Sequence, residues 1–139
     1  MKTIDELQLE MDGIAARINA ELYRREVTIP TEEPTPGEPW YEMEDGKYYI
    51  KRRGERSGVV RSTLIENENE FLYKRTRLLI HRVASDWEIQ HRQWGVDFRR
   101  MLFAKQLELF GLVNKQWQQR MSADFESILR QHPFNDTDN

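Results

Sequence analysis

The chain has 139 residues and no cysteine, which excludes a disulfide framework and a thiolate metal site. Its 21 Lys and Arg against 24 Asp and Glu give a formal net charge of −3, which argues against a strongly basic nucleic-acid binder. No apolar run approaches the ~20 residues of a membrane span, and an acidic pair follows Ile4 where a signal peptide would be apolar. We therefore expect a single domain over residues 1–139, with no membrane partner and a cytoplasmic location.

The N-terminal segment predicts an amphipathic helix over residues 4–25. Thr3 and Glu6 form a capping-box pattern, in which each side chain satisfies the backbone amide of the other residue. Apolar residues then recur at three- and four-residue spacing, namely Ile4, Leu7, Met11, Ile14, Ile18 and Leu22. Four of the five prolines follow, and they predict an extended acidic loop over residues 27–39.

Alternating residues predict a β-hairpin region over residues 40–61. Asp45-Gly46 suits a two-residue turn, and Val59–Arg61 fits a short third strand. A sheet of two or three strands is only marginally stable alone, so we expect it to pack against helices.

Two long helices are predicted over residues 63–94 and 97–131, with a short tail over 132–139. Thr63 and Glu66 match a second capping box, and Asp97 is a suitable N-cap for the last helix. Gly111 weakens that helix by about 1 kcal/mol relative to Ala and indicates a close crossing or a bend. The short connection predicts an antiparallel helical hairpin, and the fold class is α+β, mostly α.

The chemistry-bearing residues do not form a recognisable catalytic or metal-binding pattern. His81, His91 and His132 lack ligand spacing, and the acids Glu66, Glu68 and Glu70 suit the start of a helix. We therefore predict no enzyme, no cofactor and no metal site. Trp87 and Trp94 are expected to pack in the core, with an exposed binding anchor as the alternative.

The charges are distributed unevenly between two adjacent segments. Seven acids and no Lys or Arg lie between Glu26 and Gly46, whereas six bases and one acid lie between Lys47 and Arg61. In a hairpin, Glu42 and Glu44 would lie beside the lysines of the return strand, so much of this charge would pair across strands. Recognition of a protein and recognition of a nucleic acid remain the alternatives for the basic segment.

The C-terminal half carries a specific pattern of apolar, basic and polar residues. The pattern consists of Phe98, Arg99, Arg100, Leu102, Phe103, Lys105, Gln106, Leu107, Leu109, Trp117, Arg120, Glu126, Leu129, His132, Pro133, Phe134 and Asp136. It resembles a family of bacterial immunity proteins encoded beside polymorphic toxins, including contact-dependent growth-inhibition systems. The helix, proline-bearing loop, hairpin and long helices also follow that family's order.

The resemblance implies a protein that binds and neutralises its cognate toxin domain in the bacterial cytoplasm by blocking the active site or substrate access. A nuclease toxin would hold phosphates in a cationic groove, and an acid-rich segment would complement that groove. The expected toxin contacts are Glu32, Glu33, Glu38, Glu42, Glu44 and Asp45. The alternative function is a small nucleic-acid-binding or regulatory protein that uses the basic hairpin Lys51–Arg61. A homodimer is a further alternative for the partner.

Overall fold

A computed structural model describes residues 1–137, in which five α-helices accompany one three-stranded antiparallel sheet. The predicted α+β, mostly helical class is confirmed. Along the chain the elements are α1 (Ile4–Arg17), α2 (Arg24–Val27), β1 (Trp40–Glu44), β2 (Lys47–Arg53), β3 (Val60–Ile65), α3 (Glu68–His91), α4 (Phe98–Val113) and α5 (Lys115–Gln131).

Helix α1 begins as predicted but ends early. The Thr3 hydroxyl accepts a hydrogen bond from the Glu6 amide, and the Glu6 carboxylate accepts one from the Thr3 amide, both at 3.2 Å, which confirms the capping box. The prediction of one helix over 4–25 is wrong because Asn19 adopts a φ of 54°, a left-handed conformation that ends helices and that asparagine tolerates. Leu22, assigned to the apolar stripe, is exposed beyond this point.

The three strands lie side by side in the order β1-β2-β3. Asp45 and Gly46 have φ values of 49° and 73°, so the predicted two-residue turn between β1 and β2 is confirmed. The third strand is longer than predicted and extends the sheet region from 40–61 to Ile65, because Thr63 and Leu64 pair with β2.

The pairing of β3 also moves the start of the next helix. Thr63 belongs to the sheet, so the predicted capping box with Glu66 does not start a helix, and the boundaries 63–94 are wrong at both ends. Asn67 is the N-cap of α3, and its side-chain oxygen accepts a hydrogen bond from the Glu70 amide at 2.8 Å.

The predicted last helix over 97–131 is two helices. Asp97 caps α4 as expected, because its carboxylate accepts from the Arg99 amide at 3.0 Å. Asn114 leaves helical geometry with a φ of −161°, and its side chain caps α5. A Cβ on Gly111 would come within 2.5 Å of the Gln118 side chain, so the close approach expected at this glycine is confirmed.

Helices α3, α4 and α5 pack as neighbours that alternate in direction. Trp87 near the end of α3 lies beside Lys105 in the middle of α4, and Tyr73 near the start of α3 stacks on Phe110 near the end of α4, so these helices are antiparallel. Helix α5 then returns along α4, and it runs parallel to α3. The predicted helical hairpin therefore has a third member.

The sheet packs against α3 through aromatic rings. Tyr41 and Tyr48 contact Phe71 with ring centroids 5.0 and 5.3 Å apart, and all three residues are buried. Trp94 contradicts the prediction of a buried tryptophan pair, because it follows the end of α3 and is 83% exposed. Trp87 is half-buried and stacks on His91.

Candidate protein-binding groove

A groove of about 1590 Å³ lies over the outward face of α3. One wall is the chain from Arg25 to Tyr41, the end of β2 contributes Ile50 and Arg52, and α5 with part of α4 forms the opposite wall. Helical spacing places a stripe of six residues along the floor, because positions three or four apart share a face. The stripe consists of Lys74, Arg77, Leu78, His81, Arg82 and Ser85.

The cations of the groove are only partly neutralised by the protein itself. Arg82 pairs with Asp86 at 3.3 Å and with Glu26 at 3.6 Å. In contrast, Arg52, Lys74 and Arg77 are exposed and have no carboxylate within ion-pair distance among residues 1–137. The floor and one end of the groove therefore present positive charge to solvent.

A buried arginine holds the proline-bearing wall to α3. The Arg75 guanidinium donates to the carbonyl oxygens of Glu26 and Thr28 at 2.8 and 3.0 Å, and it lies 5.2 Å from the centroid of the Tyr41 ring. Within residues 1–137 it has no carboxylate partner, although it is only 5% exposed. Its charge therefore adds to the positive potential of the groove, and its hydrogen bonds set the position of the wall.

Apolar side chains interrupt the charged surface. Leu78 on the floor is 50% exposed, and Ile128 on the facing wall is 41% exposed. Phe103 and Phe125 stack behind them with ring centroids 4.0 Å apart, so this side of the groove rests on a packed support. A surface with apolar side chains among fixed charges is typical of protein-recognition sites.

The six acids expected to contact a toxin are not brought together into one patch. Glu38 lines the groove and pairs with Arg25, while Glu33 pairs with Arg53 at 3.3 Å. Glu32 and Asp45 are exposed and have no ion-pair partner among residues 1–137.

The expected cross-strand neutralisation is observed at one lysine. Lys51 lies 3.3 Å from the Glu42 carboxylate and 2.7 Å from the Glu44 carboxylate. A hydrogen bond from the Trp40 indole, followed by the one from Lys51, lowers the pKa of Glu42. The hydrogen bond to Glu44 is the main cause that raises the pKa of Lys51. Glu42 and Glu44 therefore form ion pairs with the neighbouring strand of the sheet.

Three cations of the basic hairpin have no ion-pair partner among residues 1–137. Arg52 and Arg61 are directly opposite each other in the β2–β3 register, and Arg56 lies in the turn that joins the strands. Like charges on opposing strand positions repel, and within residues 1–137 no carboxylate lies at ion-pair distance to offset this repulsion. Of the three, Arg52 reaches the groove.

The histidines occupy three different environments. His81 is exposed on the groove floor, whereas the His91 ring lies against Trp87 and the His132 carbonyl accepts from Arg99. Among residues 1–137, no group of three His, Cys, Asp or Glu side chains is placed to hold a metal ion. Glu70, one of the clustered acids, is paired with Arg120 at 2.7 Å.

Several residues that carry the family resemblance meet where α4 begins and α5 ends. Arg99 donates to the carbonyl oxygens of His132 and Pro133, both at 2.9 Å. Arg100 pairs with Asp136 at 2.9 Å and lies 4.2 Å from the centroid of the Phe134 ring. These contacts anchor the tail beside the start of α4.

The other residues of that pattern lie within the helical packing. Leu102, Gln106, Leu109 and Trp117 are buried, Phe103 is half-buried, and Phe98 is 48% exposed. The Trp117 indole donates to the Asn69 side chain at 2.6 Å, which connects α5 to α3.

The groove floor is the feature that sequence reasoning missed. Lys74, Arg77 and His81 recur at three- and four-residue spacing, opposite the apolar stripe of α3, and this spacing was the available signal. A charged helix face is ordinarily solvated, so the spacing alone does not distinguish a recognition surface. Only the walls on either side make it a groove.

The sequence model of the family described as Immunity protein 63 matches residues 45–127, more than half of the chain. The match covers the hairpin from its turn onward, all of α3 and α4, and most of α5, so it includes the groove floor. No significant match is found among curated proteins or solved structures. Among residues 1–137, no helix combines the length and apolarity needed to cross a bilayer. The chain belongs to the Immunity protein 63 family.

Proposed function

We propose that this chain neutralises a cognate bacterial toxin domain by binding it in the cytoplasm and blocking its active site or its access to substrate. The observation that carries the proposal is the family match over residues 45–127. Neutralisation by binding needs a rigid surface with fixed charges and apolar anchors, and it needs no catalytic group. A non-enzymatic role without a cofactor or metal is part of the proposal.

The packing of the chain supports a rigid binding surface. Arg75 holds the proline-bearing wall, and Arg120 joins α5 to α3 through Glu70 while its guanidinium lies 3.9 Å from the centroid of the Tyr73 ring. Such pre-organised side chains lose little conformational entropy on binding, which favours tight association.

The acidic residues remain proposed contacts for a toxin with a cationic surface, for example a nuclease. Glu32 and Asp45 are the best placed of the six because they are exposed and lack an ion-pair partner within residues 1–137. Glu33, Glu38, Glu42 and Glu44 already have intramolecular partners, so a toxin would compete with Arg53, Arg25 and Lys51 for them.

The experiment is co-expression with the toxin domain encoded in the neighbouring reading frame. We expect co-purification of the two proteins and rescue of growth when this chain is present. A catalytically inactive toxin keeps the binding assay independent of toxicity. Absence of both co-purification and rescue with a toxin shown to be active would contradict the proposal.

Nucleic-acid binding through Lys51–Arg61 is the second candidate, favoured by Arg52, Arg56 and Arg61, which form no ion pair with any residue from 1 to 137. It predicts affinity for generic duplex or RNA that falls steeply with salt. Substituting Arg52→Glu and Arg61→Glu would abolish that binding. No binding at low salt would exclude this function.

A further inference from the structure

We propose that the groove over α3 holds an acidic segment of the partner protein that also carries apolar side chains. This inference rests on the proposed toxin-binding function and identifies the surface and the chemistry of the segment that it recognises. It places the principal contact on the basic floor, on the face formed by Lys74, Arg77 and Leu78.

The charge balance of the groove is opposite to that of the chain. Six Lys and Arg but only three Asp and Glu line it, whereas the chain has a net charge of −3. Glu26 and Glu38, two of the three acids, are engaged by Arg82 and Arg25. A partner with carboxylates at the matching positions would therefore meet Arg52, Lys74 and Arg77, which form no ion pair within residues 1–137, and this favours both fast association and specificity.

The length of the floor limits the size of the bound segment. From Lys74 to Ser85 the helix rises by about 16 Å at 1.5 Å per residue. About three helical turns or about five extended residues of a partner would cover this distance. Because Lys74 and Arg77 are about one turn apart, two carboxylates one helical turn apart on the partner would reach both cations.

The apolar side chains favour a polypeptide over a nucleic acid. Leu78 on the floor and Ile128 on the α5 wall are about half-exposed, and they would contact aliphatic or aromatic side chains between the partner's acids. Nucleic-acid surfaces instead combine cations with exposed aromatic platforms, and here Tyr41 is buried. Asp124, an exposed carboxylate on the α5 wall, would also repel a continuous phosphate backbone.

The test uses the full chain and the inactive cognate toxin domain. The variant Lys74→Glu/Arg77→Glu reverses the charge of the groove floor. The matched control is Lys115→Glu/Arg130→Glu. The control makes the same charge change at exposed helical residues that lie outside the groove and lack ion pairs among residues 1–137. Circular dichroism and thermal unfolding establish that both variants fold.

We expect the floor reversal to weaken toxin binding by about tenfold or more and to flatten its salt dependence between about 50 and about 300 mM, whereas the control stays within about twofold of wild type. Leu78→Ala should weaken binding with little change in salt dependence. Lys substitutions in the toxin's acidic segment should restore affinity for the Lys74→Glu/Arg77→Glu variant, whereas they should weaken binding to the wild type and to the control, which keep the basic floor.

Three outcomes would overturn the inference. Equal toxin affinity of the wild type and of Lys74→Glu/Arg77→Glu would place the contact elsewhere. The neutralising function would remain intact. If Lys74→Glu/Arg77→Glu loses binding to duplex DNA or RNA but keeps binding to the toxin, the groove would be assigned to nucleic-acid recognition. Disruption of a homodimer by the reversal, measured by sedimentation, would assign it to a second copy of the chain. If the wild type fails to bind or neutralise the toxin, the proposed function itself fails.

Discussion

Asp97 and Arg99 form an ion pair of 2.8 Å at the first turn of α4, and both side chains also hold the backbone that follows α5. The Asp97 carboxylate accepts from the Asn135 amide at 2.9 Å, while Arg99 donates to the carbonyl of Pro133 at the same distance. One helix cap therefore also fixes the end of another helix. This geometry makes Asp97 more important for stability than an ordinary N-cap.

Replacing Asp97 with Asn should lower the free energy of unfolding by about 1–3 kcal/mol, because hydrogen bonds to a charged carboxylate are lost or weakened. Chemical denaturation measures the change. Asp124→Asn is the control, since Asp124 is an exposed residue within α5, and it should change stability little. Equal effects of the two substitutions would contradict the role of Asp97 in holding the tail.

The stability should also fall in acid. Hydrogen bonds from Arg99 hold the pKa of Asp97 well below its usual range, and those from Arg120 lower the pKa of Glu70. Because the pKa of each carboxyl is lower in the folded state, its contribution to the free energy of unfolding is complete above the ordinary carboxyl pKa. That contribution is lost as the pH falls through the pKa of the folded state. We therefore expect stability to decline from about pH 5 toward about pH 2.

The same linkage predicts how Asp97→Asn behaves across this pH range. Below the ordinary carboxyl pKa, the unfolded wild type binds a proton at Asp97 that the folded state does not bind, so the stability advantage of the wild type over the variant should narrow as the pH decreases. Denaturation curves of both proteins at several pH values measure this difference. A constant difference between neutral pH and about pH 2 would show that the Asp97 charge does not contribute.

Replacing Arg75 with Met should destabilise the fold by about 1–3 kcal/mol, since the carbonyls of Glu26 and Thr28 lose their donor. We also expect faster hydrogen exchange over residues 28–39, because the wall would be released from α3. Arg130→Met is the control, as Arg130 is exposed and unpaired within residues 1–137. Unchanged exchange in Arg75→Met would mean that other contacts hold the wall.

Replacing Asn114 with Ala should lower stability by about 1 kcal/mol through loss of the α5 cap. The Asn114 side chain accepts from the amides of Gln116 and Trp117 at 2.9 and 3.1 Å. Asn114→Asp retains an acceptor and should recover most of the loss. Gln116→Ala serves as the control at an exposed neighbouring position. An alanine variant as stable as wild type would indicate that packing alone positions α5.

The boundaries show how local signals compete. Thr63 with Glu66 and Asn67 with Glu70 have the same capping spacing, so the spacing alone does not decide which pair begins the helix. Pairing of β3 with β2 removes Thr63 from helical geometry, so the second pair caps α3. At Asn114 the competing signal is periodicity. The apolar spacing continues from α4 into α5 and predicts one helix, whereas the extended backbone of Asn114 divides it into two.

Local sequence signals were enough to predict the class of fold, most of its elements and the family resemblance, although not the ends of every helix. Periodicity, capping residues and the Asp45-Gly46 turn depend on neighbours in the chain, and the residues of the resemblance lie in one stretch from Phe98 to Asp136. Contacts between distant segments decided the rest: Arg75 reaches across 47 positions to Thr28, and Arg100 reaches across 36 to Asp136. The groove is of this second kind, because a charged face of α3 becomes a binding surface only when separate segments of the chain fold against both of its sides.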